Sequence, residues 1–376
     1  MEERRGKSIL IAGAGPTGLA LALELARRGF HSRLVAKSNG PTPVSESRAL
    51  GVNARTLTLL EASGVSALIL AKARRLTQFR ISSAGKRLLT IDTETFRGHY
   101  CPVHALPQGE TERLLLRKLS AFGIVPEWST EVSTVSGDIE KPVVTLTHAG
   151  GLSETVQPDM LIGADGAHSV VRKACGFAFP GNAIESRFFL ADYRYTQPVD
   201  TGFIEMNFLN PGVLGHLPVN EDTLRYISTI EDFESRIDHP HAVRERTWGS
   251  EFGISFRHVE TMSRGNVFLA GDAAHVHSPA GARGMNLGIE DACWLAWLIS
   301  QGREREYSNL RMPAVRTVLK DTRRITTFIT LRNPLLTSLR ALLLPLVSHV
   351  PGFTAAMLRN VSGQDTPPPP WIPNAQ

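Results

Sequence analysis

Three segments of this chain have the residue types and spacing to hold a phosphorylated, sugar-bearing ligand. The first is Gly13-Ala14-Gly15-Pro16-Thr17-Gly18. Between a buried strand and a helix, Gly13 permits a tight turn, Gly15 lets the main chain approach a pyrophosphate, and Gly18 permits close helix–strand packing. The helix that follows, beyond Pro16 and Thr17, turns free N–H groups and its positive dipole end toward the phosphates. The second segment, Asp159 to Arg172, contains Gly163-Ala164-Asp165-Gly166. The third, Gly265 to Gly288, contains Ala270-Gly271-Asp272 and Pro279-Ala280-Gly281-Ala282-Arg283-Gly284-Met285-Asn286. In both, an aspartate follows an apolar run that reads as a strand of an open sheet, at the edge where such folds bind ligands. That acid can accept from sugar hydroxyls, and small neighbours let the chain lie close to the ligand.

One expected acid is missing. The second strand ends Arg33-Leu34-Val35-Ala36-Lys37, with Ala36 where a ribose-binding carboxylate would stand. A hydrogen bond to a charged group is worth roughly 1.5–3 kcal/mol, so the nucleotide is expected to be held weakly unless Lys37, Ser38 or a water substitutes. Arg33 and Lys37 could also serve an NADP phosphate.

The three segments, in this order and at this separation, resemble those of the flavoprotein aromatic hydroxylases, the p-hydroxybenzoate hydroxylase-like group, over nearly the whole chain to about residue 363. The resemblance implies an FAD-dependent monooxygenase. NADPH or NADH would reduce the flavin, O2 would add as a C4a-hydroperoxide, and one oxygen would pass to a small aromatic or related substrate. It also implies that Gly13, Gly15 and Gly18 cradle the FAD pyrophosphate and that Arg48 and Gln108 touch FAD. Asp165 would lie in a segment serving both FAD and NAD(P)H, and Gly271 and Asp272 at the ribityl or pyrophosphate part. Pro279, Gly284, Met285 and Asn286 would approach the isoalloxazine. Reduced flavin is negatively charged near its N1–C2=O edge, and a helix start there would stabilise that charge. The alternatives are another FAD-dependent oxidoreductase, of epoxidase, reductase or halogenase type, and a non-catalytic dinucleotide-binding module.

His275-x-His277 lacks a third ligand at metal-site spacing, so no metal is expected. His168 and Arg172 are expected to brace the second segment. Tyr193, Tyr195, His216 and Tyr226 are polar aromatics that could assist deprotonation of a phenolic substrate, with Pro279 also on the substrate side. Which of them faces the substrate depends on strand register, and a slip of one residue reverses it.

The elements that must position these groups read as an α/β fold. Ser8–Ala12, a helix over Leu19–Arg28 and Ser32–Ala36 form a β-α-β unit. Amphipathic helices over Asn53–Ser63 and Thr111–Phe122 follow, with a hairpin between them over Leu76–Ile91. A strand pattern over Phe188–Tyr195, Gly202–Leu209, Val213–Pro218 and Thr223–Thr229 predicts an inserted, mainly antiparallel sheet. The helix Leu287–Ser300 and a helical C-terminal segment complete the chain. The expected division is a Rossmann-like FAD-binding domain over 1–75, 104–180 and 263–300, and a substrate-binding sheet domain over 76–103 and 181–262. C-terminal helices over 301–363 and a proline-rich tail over 364–376 complete it.

The 376 residues, 42% hydrophobic and 20% charged, have a globular composition. The formal charge of +5 is spread without a nucleic-acid footprint. Cys101, Cys175 and Cys293 lie far apart, and the N-terminal residues lack a signal-peptide pattern, which together predict a cytoplasmic protein. Leu335–Met357 is apolar but carries Arg340, Pro345 and Pro351, so no stable membrane span is expected. The oligomeric expectation is a monomer or homodimer.

Overall fold

The computed structural model describes residues 6–46, 49–331, 333–347, 350 and 352–372. Its innermost layer is a five-stranded sheet in the order Ser263–Arg264, Val267–Leu269, Met160–Gly163, Ile9–Ala12, Ser32–Val35. All pairings are parallel except the first. Ile9–Ala12, Met160–Gly163 and Val267–Leu269 are buried along their whole length, which is why they read as continuous apolar runs rather than alternating ones. The first helix is Pro16–Ala26, with Pro16 at its N-terminal turn, where a missing N–H costs nothing. It packs against Gly284–Gln301. A Cβ on Gly288 would lie 2.3 Å from Thr17 Oγ1, so that glycine is what lets the two helices touch.

A three-stranded sheet of Ser153–Val156, Lys141–Thr147 and Glu131–Asp138 adjoins the end of Ser32–Val35. The inserted sheet has eight strands. Their order is His275–Val276, Val243–His258, Gly181–Tyr195, Thr223–Ser228, Val213–Pro218, Phe203–Phe208, Gln78–Ser83, Lys86–Asp92. Every pairing is antiparallel except Phe203–Phe208 with Gln78–Ser83. The expected hairpin thus exists and extends the inserted sheet. Its turn uses Ala84 and Gly85 at φ 47° and 79°, the left-handed pair that closes a tight hairpin. The long strand Val243–His258 had no clear apolar signal, because its first half is largely exposed and carries Arg244, Glu245 and Arg246.

Helices Tyr307–Ile329, Pro334–Val347 and Phe353–Ser362 form the C-terminal layer. Pro345 does not break its helix. It lies inside Pro334–Val347, two residues from the end, where its missing N–H removes only one late hydrogen bond. No helix among the described residues is long and apolar enough to cross a membrane. The described part of the proline-rich tail, to residue 372, lies back on the protein, with Trp371 stacked on Trp297 at 4.8 Å between ring centroids.

Candidate functional site

A cavity of about 1740 Å³ runs from the glycine turn at Gly13–Pro16 to the inner face of the eight-stranded sheet and the C-terminal helices. Its polar end is built by strand termini. Gly13 has φ +105°, and a Cβ there would lie 2.2 Å from Ala164 O. On Gly18 a Cβ would meet Gly13 O at 1.8 Å. These two glycines let the turn, the helix and the Asp165 loop pack against one another. Gly15 differs, since a Cβ there would meet nothing within 4 Å, although Gly15 lines the cavity. That free space above a helix N-terminus without a side-chain cap fits a pyrophosphate.

Asp165 lines the same wall. One oxygen accepts from the Val170 and Val171 amides at 2.7 and 3.3 Å, while Oδ1 is buried without a protein partner. A buried acceptor of this kind calls for a ligand donor or a water. Arg172 braces the loop as expected, donating to Ala273 O at 3.0 Å and Ala167 O at 2.8 Å. His168 is exposed on the cavity wall.

Asp272 opens into the cavity. The protein surrounding it raises its pKa, with His275 opposing. Gly271 lies beneath, its amide donating to Asp291 Oδ2 at 3.2 Å. That carboxylate also takes a 2.6 Å bond from His275 Nε2, and its other oxygen accepts from Arg311 Nε at 2.8 Å. Burial pushes the Asp291 pKa up, but His275 and Arg311 outweigh it and hold it below the ordinary range. The network fixes the Gly271-Asp272 loop from behind and gives His275 a structural role.

Gly284–Gln301 begins three residues earlier than expected, at Gly284 itself. Arg283 precedes it without a side-chain cap, so the first amides are unpaired within the helix, and Pro279, Gly284 and Met285 line the cavity beside them. Asn286 stands in the first turn of the same helix, and its side chain serves the fold. Its side chain is buried, with Oδ1 accepting from Asn53 N and Thr56 Oγ1 and Nδ2 donating to Gly51 O and Ala282 O. It ties loops together and is turned away from the cavity. His277 donates from Nδ1 to Ser278 O at 2.8 Å, and its Nε2 is buried without a partner. Burial holds its pKa down to about 4, so the neutral ring offers an acceptor at Nε2.

Gln108 lines the cavity and donates to Glu112 Oε1 at 2.8 Å. Lys37 lies at the cavity rim, 82% exposed and 2.7 Å from Glu131. Arg33 is engaged by Glu127 and Glu154, which removes it as a phosphate ligand. Arg48 lies outside the described residues.

The substrate-side candidates need a larger correction. Phe188, Leu190, Gly215, Leu217, Arg225 and Ile227 face the cavity, so the pleat turns Tyr193, Tyr195, His216 and Tyr226 to the opposite face. There Tyr195 Oη meets Tyr226 Oη at 2.7 Å and His239 Nδ1 at 2.9 Å, Tyr193 bonds Glu234, and His216 packs against Phe203 and Tyr226. The charged groups on the apolar end are instead Arg225, Arg324 and Arg340. Arg225 makes a buried two-point bond to Asp192, at 2.7 Å for each contact. Arg340 lies 3.5 Å over the Phe208 ring, donates to Phe328 O at 2.8 Å, and has a buried Nε without a partner. Alternation pointed to the strand of Arg225 but left its facing residue open, and the only sequence signal for Arg340 was a cation inside an apolar run.

Residues 7–230 and 220–305 match a family described as FAD binding domain. The chain is 33% identical over 357 residues to 6-methylpretetramide 4-monooxygenase of Streptomyces rimosus, an alignment covering 88% of this chain and 64% of that protein. It is 31% identical over 398 residues to 12-dehydrotetracycline 5-monooxygenase/anhydrotetracycline 6-monooxygenase of Streptomyces rimosus subsp. rimosus, covering 95% of this chain and 76% of the relative. The solved anhydrotetracycline hydroxylase from Streptomyces rimosus superposes with a TM-score of 0.80 at 29% identity, over 96% of this chain and 77% of that one. The chain thus spans less than two thirds of the first of these relatives.

Proposed function

This chain belongs to the FAD-dependent aromatic hydroxylases, and from that premise we propose that it is a monooxygenase using NAD(P)H and O2 to hydroxylate an extended aromatic substrate. The observation that carries the reading is the single cavity joining the glycine turn to an apolar, arginine-bearing chamber. Ligand pockets commonly occupy about 300–1,000 Å³. At about 1740 Å³ this one has room for a dinucleotide and a sizeable second molecule. The tetracycline-type names of the relatives above agree with a flat, multi-ring substrate.

Bound flavin would supply the redox chemistry, accepting hydride from a nicotinamide and activating O2. The protein's part is to bind, orient and shield. The turn at Gly15 and the helix start at Pro16 hold phosphate, Asp272 accepts from ribityl or pyrophosphate-linked hydroxyls, and Asp165 Oδ1 takes a further donor. The free amides from Gly284 stabilise negative charge, and neutral His277 offers an acceptor beside them. Phe79, Phe188, Phe252 and Met357 line an apolar chamber that limits water at the reacting centre. Arg340 Nε, buried without a partner, anchors an oxygen of the substrate.

In this reading 1–75, 104–180 and 263–300 bind FAD, while 76–103 and 181–262 with the C-terminal helices enclose the substrate. Membership of one eight-stranded sheet supports grouping the 78–92 hairpin with the insert. Three free cysteines support a cytoplasmic location, and a monomer or homodimer is the oligomeric reading. The test is a visible spectrum of the purified protein with added FAD, followed by NADH- and NADPH-driven oxygen uptake over polycyclic phenols. Substrate-stimulated uptake with an oxygenated product is expected. Bound FAD without any reduction by either nicotinamide would favour a binding module instead.

A further inference from the structure

The acid missing from the second strand has a neighbour that can replace it. Beyond Val35 the chain runs beside residues 127–130 in backbone register. Ala36 N donates to Glu127 O at 3.0 Å, Thr130 N to Ala36 O at 2.9 Å, and Ser129 N to Ser38 O at 2.8 Å. Glu131 comes next, as the first residue of Glu131–Asp138. It lines the cavity together with Ala36, Lys37, Ser38, Thr130 and Gly15, and its carboxylate lies 2.7 Å from Lys37 Nζ.

The other carboxylates nearby do not fit the role. Glu127 and Glu154 are engaged by Arg33, and neither is on the cavity wall. Asp165 sits after a different strand, with one oxygen committed to the Val170 and Val171 amides. The Lys37 pair is exposed, and a pair of that kind contributes little and does not withhold Glu131 from a ligand.

We propose that Glu131 supplies the carboxylate that accepts from the adenosine ribose hydroxyls of FAD, reaching the site from the strand beside Ala36, with Lys37 as its counter-ion. This rests on the FAD reading above. It changes the expectation from sequence, because binding need not be weak when the acid arrives from another strand.

The test is FAD titration of the purified full chain by flavin fluorescence at fixed ionic strength, with competition by ADP and by 2′,3′-dideoxy-ADP. The wild-type protein is expected to prefer ADP. E131Q should bind FAD roughly 10- to 100-fold more weakly and lose most of the preference for ADP. Adding A36E to E131Q should restore a large part of both. K37M should keep the preference, since the lysine is not the group that reads the hydroxyls. E131Q with wild-type FAD affinity, or weakened but with its ADP preference intact, overturns the assignment while FAD binding by the wild type stands. A wild-type protein that takes up no FAD overturns the cofactor reading and this assignment together.

Discussion

His104 and His277 carry a pH dependence that follows mainly from burial. Burial lowers the pKa of each to about 4, with Arg75 adding to the effect at His104. His104 Nδ1 is also buried without a partner. Both rings are neutral near pH 7. An unfolded histidine titrates near 6.5, so between about pH 6.5 and 4 the unfolded chain binds more protons than the folded one. Stability therefore falls as the pH drops through that window, by about 3 kcal/mol per site at the full shift. We expect the melting temperature of the cofactor-free protein to decline from pH 6.5 to 4.5. H104Q cannot take up the proton and should decline less steeply. Identical slopes for the two proteins would refute the assignment to His104.

At the scale of elements, the glycine turn separates two effects that one motif usually confounds. Gly13 is required by the fold, because its Cβ would collide with Ala164 O and its φ is +105°. Gly15 is required only by the ligand, because its Cβ would point into free space on the cavity wall. G15A should therefore leave the unfolding transition within about 0.5 kcal/mol of wild type, as surface substitutions do, while weakening FAD at least roughly tenfold. G13A should lower stability by about 1–3 kcal/mol through backbone strain and displacement. Urea unfolding of both variants without FAD distinguishes them, and a G15A protein as destabilised as G13A would contradict the division. The buried pair in the inserted sheet has a comparable test. Asp192 and Arg225 are 2% exposed each, and the guanidinium lies 4.4 Å from the Trp248 ring. D192A removes the two-point bond of that buried cation, and a loss of about 3–5 kcal/mol is expected. A loss under about 1 kcal/mol would show that the pair is not desolvated.

The same elements show what a sequence can carry. The β-α-β unit, the hairpin and the Asp272 loop were legible because glycines, caps and apolar runs mark them locally. Gly64 and Gly123 end the helical stretches before them at φ 70° and 72°. The facing of Thr223–Ser228 was not legible, because five of its six residues are buried and a strand covered on both faces has no alternation to read. Tyr226 therefore looked as available as Arg225, which lines the cavity. Glu131 escaped notice for another reason. Its tie to the ribose position runs through backbone bonds between residues nearly a hundred positions apart, and no local pattern records them.

Over the whole molecule, the cavity depends on a closure between distant parts of the chain. Arg283, 1% exposed, stands immediately before the helix start at Gly284. Its guanidinium donates to Asp365 Oδ1 at 2.8 Å and to Asn360 O. Arg55 donates to Gly363 O at 3.3 Å and Thr366 O at 3.0 Å. The segment 360–366 is thus fastened to the loop that faces the flavin site and to the helix Ala54–Leu60. Ala282, next to Arg283, holds a left-handed φ of 54°, which L-residues other than glycine and asparagine rarely adopt unless the surroundings impose it. Weakening the fastening should release that loop. In D365N, Arg283 keeps its carbonyl partner but loses a charged one, so a stability loss of about 1.5–3 kcal/mol is expected. The more informative readout is FAD dissociation followed by fluorescence after dilution. If the closure holds the helix start against the flavin, D365N should release FAD several-fold faster. E306Q, which removes a surface partner of Arg303, should not change the rate. A D365N protein that melts earlier yet releases FAD at the wild-type rate would mean that the C-terminal segment stabilises the fold without shaping the flavin site.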